Sequence, residues 1–158
     1  MPNPVSCGSA SASPVSILVV EDSDDDLFLL KRAFLHANYN DDLIFVRDGE
    51  EALQFLRDTL AEKGAKMPNL ILMDINMPRK NGFQALNELK SDKKFASIPV
   101  VMLTSSSREE DVHAAYKSGA SSFITKPLDF ATFKKMVINF TEYWTAVARV
   151  PTPSASMA

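Results

Sequence analysis

A run of four apolar residues, Leu70 to Met73, ends directly on the carboxylate of Asp74, and Pro78 follows four positions later. A short apolar segment bounded in this way is typical of a strand buried on both faces of a sheet. Ligands of open α/β sheets bind at the carboxyl ends of the strands, so Asp74 is a candidate site residue. The alternative is that Asp74 only ends a core strand, as turn-forming residues often do.

Four further short apolar segments have the same character, and they span residues 15–20, 43–46, 98–103 and 122–125. Segments with apolar residues at helical spacing lie between and after them. They predict helices that begin after Ser23, run from about 52 to Gly64, cover 83–89, run from Ser107 to Gly119, and extend from about Asp129 to about Val147. Five strand–helix alternations with short connections predict one α/β domain, in which helices cover both faces of a parallel sheet.

Two of these helices begin with a candidate capping box. Ser23 is followed three residues later by Asp26, and Ser107 is followed by Glu110. In a capping box the hydroxyl accepts a hydrogen bond from the backbone three residues on, and the acid reaches back. We therefore expect helix starts at both serines.

The two ends of the chain differ in composition from its middle. Residues 1–14 and 149–158 are rich in Ser, Pro and Ala, which bury too little apolar surface to order a segment. We expect a flexible leader over 1–14, a single domain over 15–148 and a flexible tail over 149–158.

Charge and composition exclude several classes of protein. A formal net charge of −3 gives no general attraction to nucleic acid or to anionic lipid. No apolar run approaches the ~20 residues of a membrane span, and no basic and apolar signal segment opens the chain. A single cysteine, Cys7, excludes an internal disulfide and suits a reducing compartment. We expect a cytoplasmic protein without nucleic-acid or membrane partners.

Polar groups fall at the carboxyl ends of four of the predicted strands, and these groups are Glu21 with Asp22, Asp74, Thr104, and Lys126. In a parallel sheet these ends lie along one edge, so residues far apart in the chain converge. Three carboxylates in one cleft repel one another, and a cation relieves that repulsion. All-oxygen ligation suits Mg²⁺, which binds alongside phosphate. A lysine and a hydroxyl across the cleft would bind the other oxygens of a tetrahedral anion, an inventory that suits phosphoryl transfer to a carboxylate.

The strand-end motifs occur in a fixed order, with Val-Val-Glu-Asp at 19–22, Met-Asp-Ile-Asn-Met-Pro at 73–78, Val-Met-Leu-Thr-Ser at 101–105 and Lys-Pro at 126–127. With these motifs, residues 16 to about 140 resemble the receiver domain of two-component response regulators. The resemblance implies a flavodoxin-like, doubly wound (βα)5 fold with strand order 2-1-3-4-5. It also implies a single-domain regulator that accepts a phosphoryl group from a histidine kinase and signals by protein contact or phosphorelay. Such a protein is not an enzyme beyond self-catalysed phosphotransfer and slow autodephosphorylation.

The resemblance also assigns a role to each site residue. Asp74 would be the phosphoacceptor, and Mg²⁺ would be held by Glu21, Asp22, Asp74 and the backbone carbonyl of Asn76. Thr104 would bond a phosphoryl oxygen, and Lys126 would pair with the phosphoryl group. Phe123 occupies the aromatic switch position, where it lacks a tyrosine's hydroxyl, so switching there would depend on packing. The family's bond between Lys126 and Pro127 is usually cis.

The last predicted helix carries an apolar seam. Its members recur at spacings of three and four, and include Phe133, Val137, Phe140 and Trp144. A helix of about 19 residues spans ~28 Å, which is longer than a five-stranded domain needs. We therefore expect a homodimer built on these four residues. The alternative is a helix that folds back over its own core.

Two segments suggest a subgroup. The ending Phe-Thr-Glu-Tyr-Trp at 140–144, with Arg-Asp-Gly-Glu-Glu-Ala-Leu at 47–53, is similar to the stand-alone receivers that partner bacterial phytochromes. This similarity implies a light-sensing histidine kinase as the phosphoryl donor.

Three other functions fit parts of the sequence. Asp22-Ser23-Asp24 suggests an aspartate-nucleophile phosphohydrolase, but Asp26 stands where that family has Thr or Val. Alternating acids from Asp22 suggest a calcium loop, but Leu27 replaces its required glycine. A binding module independent of phosphorylation is the third alternative, and the intact set of site residues disfavours it.

Overall fold

The computed structural model describes residues 15–39 and 42–152. Within them strands and helices alternate as β1 (Ile17–Val20), α1 (Asp24–His36), β2 (Leu43–Val46), α2 (Gly49–Ala61), β3 (Leu70–Met73), α3 (Gly82–Ser91), β4 (Val100–Thr104), α4 (Glu109–Lys117), β5 (Ser122–Thr125) and α5 (Phe130–Glu142). A π-helical turn over Tyr143–Val147 follows α5. The expected leader at 1–14, with Cys7, and the end of the expected tail at 153–158 lie outside the described residues.

The strands form one parallel sheet with the order β2-β1-β3-β4-β5, which confirms the predicted fold. Val20 pairs with Val46 on one side and with Met73 on the other, and Met73 pairs with Met102. This register brings the carboxyl ends of the strands to one edge of the sheet.

Both faces of the sheet are buried, as the apolar strands predicted. In β1, Leu18 and Val20 pack in the cluster that contains Leu53 and Leu86 of α2 and α3. Ile17 and Val19 point to the opposite face, into the cluster of α1 and α5. Alternate residues of a strand face opposite ways, so a strand covered on both sides must be apolar throughout.

The apolar seam of α5 lies inside this second cluster. Phe133, Val137 and Phe140 are only 3%, 1% and 7% exposed. The Phe140 ring meets Phe34 of α1 edge-on, with their centroids 6.5 Å apart. These three side chains are therefore packed in the α1–α5 layer of one chain, whereas Trp144 is half-buried at its edge, and the expected dimer interface stays a prediction. Spacings of three and four describe a buried helix face as well as an intermolecular seam.

Helix boundaries follow the local hydrogen bonds. The Ser23 hydroxyl accepts from Asp26 N at 3.3 Å, as predicted for the start of α1. The predicted capping box at Ser107 is wrong. Helix α4 begins at Glu109, and its N-cap residue, Arg108, makes no capping hydrogen bond through its side chain. Instead the Ser106 hydroxyl accepts from Arg108 N and donates to Asp111 at 2.5 Å.

The described residues contain no cis peptide bond, so the expected cis bond between Lys126 and Pro127 is wrong. Trans is the lower-energy isomer even before proline. Among the described helices, none combines the length and the apolar character needed to cross a membrane.

Candidate functional site

Hydrogen bonds of the sheet position the site residues at the carboxyl edge. Glu21 N donates to Val46 O at 3.0 Å, and Asp74 N donates to Val20 O at 3.0 Å. Lys126 N donates to the carbonyl of Thr104 at 2.7 Å. Each of these backbones is therefore fixed by a neighbouring strand.

Glu21, Asp22 and Asp74 converge at this edge. One carboxylate oxygen from each lies within 4.8 Å of the others. Glu21 is 2% exposed and Asp74 is 8% exposed, whereas Asp22 is half-buried. Within the described part of the chain, these three residues are the one group of acids, histidines or cysteines close enough to hold a metal ion.

The Lys126 ammonium lies among these acids, and its side chain is 9% exposed. Its Nζ atom is 2.6 Å from Glu21 Oε2 and 2.8 Å from Asp26 Oδ2. It is 3.5 Å from Asp74 Oδ2. The sequence predicted Lys126 as a site residue but not its bond to Asp26. From the sequence alone, Asp26 is predicted only as part of the helix cap at Ser23.

Burial and charge shift the pKa values of this pair. Burial raises the pKa of Glu21 from 4.5 to about 7, against the opposing hydrogen bond from Lys126, and the Asp74 carboxylate adds to the rise. Burial alone would lower the pKa of Lys126, but hydrogen bonds to Asp26 and Glu21 raise it. The rise at Glu21 is therefore caused mainly by burial and in smaller part by the neighbouring carboxylate of Asp74.

The donor set fits a hard divalent cation. Three carboxylates lie close together, and one of them is the buried Glu21, whose pKa is raised. An ion that prefers oxygen ligands would reduce the repulsion between them. Asn76 is exposed in the loop after β3, and its carbonyl as a further ligand stays a prediction. The residues present therefore fit Mg²⁺ or a similar ion.

Thr104 ends β4 and is fully buried. Its hydroxyl accepts from Ser106 N at 3.4 Å. The carbonyl of Ser106 in turn accepts from the hydroxyl of Thr125 at 3.0 Å. These bonds connect the end of β4 to the residue that precedes Lys126. Phe123 of β5 is half-buried against the α2–α3 core.

Gly82 shapes the backbone beneath Asp74, and sequence reasoning gave it no role. A Cβ at this position would lie 2.2 Å from the carbonyl oxygen of Asp74 and 2.8 Å from Ile75 Cα. Gly82 N donates to Ile75 O at 2.8 Å. Only glycine allows α3 to begin this close to the end of β3. The Asn-Gly dipeptide at 81–82 was the available signal for a tight turn.

An ion pair that the sequence did not reveal holds the loop between β3 and α3. Arg79 donates through Nε to Asp48 Oδ2 at 2.8 Å. Asp48 is buried at the start of α2, and Arg79 has a φ of +62°. Burial would raise the pKa of Asp48, but hydrogen bonds from Glu51 N and Arg79 hold it below its usual value. The loop is thereby tied to α2.

The fold and the site together are typical of phospho-receiver domains. The sheet is parallel with order 2-1-3-4-5, and acids follow β1 and β3. A threonine ends β4, and a lysine follows β5. The profile of the response regulator receiver domain matches residues 17–138, so this chain belongs to the response regulator receiver family.

Similar proteins include stand-alone receivers that this chain matches over nearly their full length. Response regulator Rcp1 of Synechocystis is 36% identical over 141 residues, which cover 89% of this chain and 96% of Rcp1. The solved Mn²⁺-bound form of Rcp1 matches with a TM-score of 0.78 at 36% identity, over 87% of this chain and 99% of that one. The phosphorylated cyanobacterial phytochrome response regulator RcpA matches with a TM-score of 0.79 at 34% identity, over 86% and 97% of the two chains.

A relative from a different setting is equally similar. The probable methanogenesis regulatory protein FilR2 of Methanothrix harundinacea is 35% identical over 142 residues, which cover 89% of this chain and 90% of the relative. Overall identity therefore shows the receiver family without selecting one signalling pathway.

Proposed function

We propose that this chain is a single-domain response regulator that accepts a phosphoryl group on Asp74 from a histidine kinase, in a reaction that depends on Mg²⁺. The observation that carries the proposal is the position of Asp74. Its carboxylate is buried beside Glu21 and Asp22, and one of its oxygens is 3.5 Å from the Lys126 ammonium.

In the transfer step an Asp74 oxygen attacks the phosphorus of a phosphohistidine. The P–O bond forms as the P–N bond breaks, and the leaving imidazole takes the electron pair. Glu21, Asp22 and Asp74 would hold Mg²⁺, which would supply positive charge for the phosphoryl oxygens. Lys126 and Thr104 would pair with the other oxygens. Autodephosphorylation reverses the modification when water attacks the acyl phosphate and releases inorganic phosphate.

Phosphorylation would change the bonds around Thr104. Its hydroxyl now accepts from Ser106 N, and this loop also contacts Thr125. When the hydroxyl turns to a phosphoryl oxygen, the loop over 105–108 loses that bond and shifts, and Phe123 repacks with it. A ligand that favours one arrangement shifts the population toward it. The signal then leaves by contact with a partner protein or by phosphorelay.

Acetyl phosphate with Mg²⁺ tests the phosphoacceptor. We expect about one alkali-labile phosphoryl group per chain and slow turnover. Asp74→Ala should not be labelled, while Asp111→Ala, which removes another acid near the β4–α4 loop, should be labelled. Rapid hydrolysis of aryl phosphates over many turnovers would instead support an aspartate-nucleophile phosphohydrolase. Unchanged labelling of Asp74→Ala would overturn the assignment.

We propose that the kinase that donates the phosphoryl group is a phytochrome-type sensor. Support comes from similarity to Rcp1 and RcpA, the second of which is described as a phytochrome response regulator. A panel of purified histidine kinases, labelled with radioactive ATP, would identify the preferred donor by the initial transfer rate. We expect a phytochrome kinase to transfer fastest, and a faster non-phytochrome kinase would contradict this part.

We also propose that the protein is a cytoplasmic homodimer. Since three of the four expected residues of α5 are buried within one chain, we propose the dimer on the surface beside them. There Tyr143 and Val147 are exposed, and a groove of 590 Å³ lies between β5 and α5, lined in part by Met136 and Trp144. Sedimentation of a Tyr143→Ala, Val147→Ala double variant should show a lower mass than wild type. A monomeric wild type would remove the dimer from the proposal, and two dimeric proteins of equal mass would exclude this surface as the interface.

A further inference from the structure

Lys126 has a bonding partner outside the motifs that define the receiver family. Its Nζ atom is 2.8 Å from Asp26 Oδ2, on the third residue of α1, but 3.5 Å from Asp74 Oδ2. The ammonium is therefore held closer to Asp26 than to the carboxylate on which it is expected to act.

The carboxylate of Asp26 is distinct from its neighbours on α1. Asp24 pairs with Arg47 at 2.5 Å, and Asp25 is exposed. Asp26 is partly buried, with its side chain 33% exposed, and is turned toward the site. Its backbone is already fixed by the Ser23 cap, so the side chain is not needed to begin the helix.

We propose that Asp26 is a positioning residue that competes with the phosphoryl group on Asp74 for the Lys126 ammonium. This inference rests on the proposed phosphoacceptor function of Asp74. An ammonium has three N–H donors, and Glu21 and Asp26 engage two of them here. These two bonds hold Nζ 3.5 Å from Asp74 Oδ2, so movement of the ammonium toward a phosphoryl group on Asp74 stretches the bond to Asp26, even though the third N–H can still donate. The bond therefore stabilises the unphosphorylated protein and lowers its affinity for a phosphoryl group.

The test measures the affinity for beryllofluoride, a non-covalent phosphoryl analogue, by titration calorimetry in the presence of Mg²⁺. Asp26→Asn should bind it about 5-fold more tightly or better than wild type, within the usual range for coupled sites. Asp25→Asn is the matched control. It removes the same charge from the same helix turn without contacting Lys126, so it reports the general electrostatic effect.

A double-mutant cycle shows whether Asp26 acts through the lysine. In a Lys126→Gln background, the gain from Asp26→Asn should disappear, because the competing bond no longer exists. A merely structural role for Asp26 would leave the gain unchanged. Asp26→Ala is the second variant, and it should give the same gain if the asparagine variant folds poorly.

Each result has a separate meaning. If wild type and Asp25→Asn bind beryllofluoride and Asp26→Asn binds it no more tightly than Asp25→Asn, the competition is refuted while the phosphoacceptor proposal stands. A gain that persists without Lys126 also refutes it. If wild type fails to bind beryllofluoride and is not labelled by acetyl phosphate, the proposed function itself fails.

Discussion

At the scale of single residues, the buried Glu21 carboxylate controls how the site responds to pH. Its pKa in the folded protein is about 7, above the ordinary 4.5. Between these values the folded protein binds a proton that the unfolded chain does not. Stability therefore falls as the pH rises through this window, and the cost of the charged group is fully present above pH 7.

Glu21→Gln should consequently raise the melting temperature of the metal-free protein at pH 8 and leave it nearly unchanged at pH 5. At pH 5 the wild-type carboxyl is already neutral, like the amide that replaces it. Thermal unfolding in EDTA at both pH values measures the difference. Asp25→Asn, at an exposed acid on α1, is the control and should lack this pH dependence. Equal stabilisation at pH 5 and pH 8 would contradict the buried-carboxylate interpretation.

Asp22→Ala should also raise the melting temperature without metal, because it removes one of three crowded carboxylates. The gain should be smaller than for Glu21→Gln, since Asp22 is only half-buried. Both substitutions should abolish the stabilisation that added Mg²⁺ gives to wild type. A lower melting temperature for Asp22→Ala in EDTA would count against repulsion in the acidic pocket.

Mg²⁺ affinity should depend on pH through the same glutamate. A metal ligand must be deprotonated, so binding competes with a proton whose pKa is about 7. Below pH 7 we expect the apparent affinity to fall by up to about tenfold per pH unit, and above pH 8 to level off. Calorimetric titration at pH 5.5 to 8.5 measures this profile. A flat profile across that range would exclude Glu21 as a ligand with a raised pKa.

At the scale of elements, the junction between β3 and α3 requires glycine. In Gly82→Ala the added Cβ meets the Asp74 carbonyl at 2.2 Å, so the backbone of the phosphoacceptor must shift. We expect a loss of about 1–3 kcal/mol in the free energy of unfolding and slower labelling by acetyl phosphate. Chemical denaturation and initial labelling rates measure the two effects.

Gly64→Ala is the matched control for this substitution. Gly64 has a φ of +82°, but nothing lies within 4 Å of an added Cβ. The change should cost stability through backbone strain alone, by about 1 kcal/mol. Its labelling rate should equal that of wild type. If both variants lose labelling equally, the close approach at Gly82 is not specific to the site.

At the scale of the whole molecule, α5 is part of the core of a single chain. Phe140 is 7% exposed and contacts the ring of Phe34, whereas Tyr143 is 51% exposed. Phe140→Ala should reduce the free energy of unfolding by about 3–5 kcal/mol. Tyr143→Ala should change it by about 0.5 kcal/mol or less at a protein concentration too low for the proposed dimer. Denaturation at several protein concentrations measures both, and a Phe140→Ala loss that depends on concentration would indicate an interface instead.

The local pattern was enough to predict the sheet and most of the site. Apolar runs such as Leu70–Met73 indicate a strand buried on both faces, because every residue in the run is apolar. This pattern can be recognised in the segment itself, without knowledge of its neighbours in the sheet. The carboxyl ends of parallel strands lie at one edge of the sheet, so the sequence alone predicted that Glu21, Asp74 and Lys126 lie together. Four motifs in order then indicated the family.

The sequence prediction was incomplete where one local pattern has two tertiary outcomes. The seam containing Phe133 and Val137 suits a dimer or a core, and only the packing of α1 against α5 decided between them. Asp26 suits a helix cap as well as an ion pair, and its lysine lies 100 positions away. The residues next to Asp26 and Lys126 in the sequence do not indicate the contact between them.

By itself, the sequence determined the order of strands and helices, the buried face of each, and the chemical groups at the carboxyl edge. These depend on residue type and on spacing between near neighbours. The tertiary structure alone decided which partner holds Lys126, why Gly82 must lack a side chain, and what covers α5. Those facts depend on distances between atoms of separate elements, which are set only when both layers of helices close on the sheet.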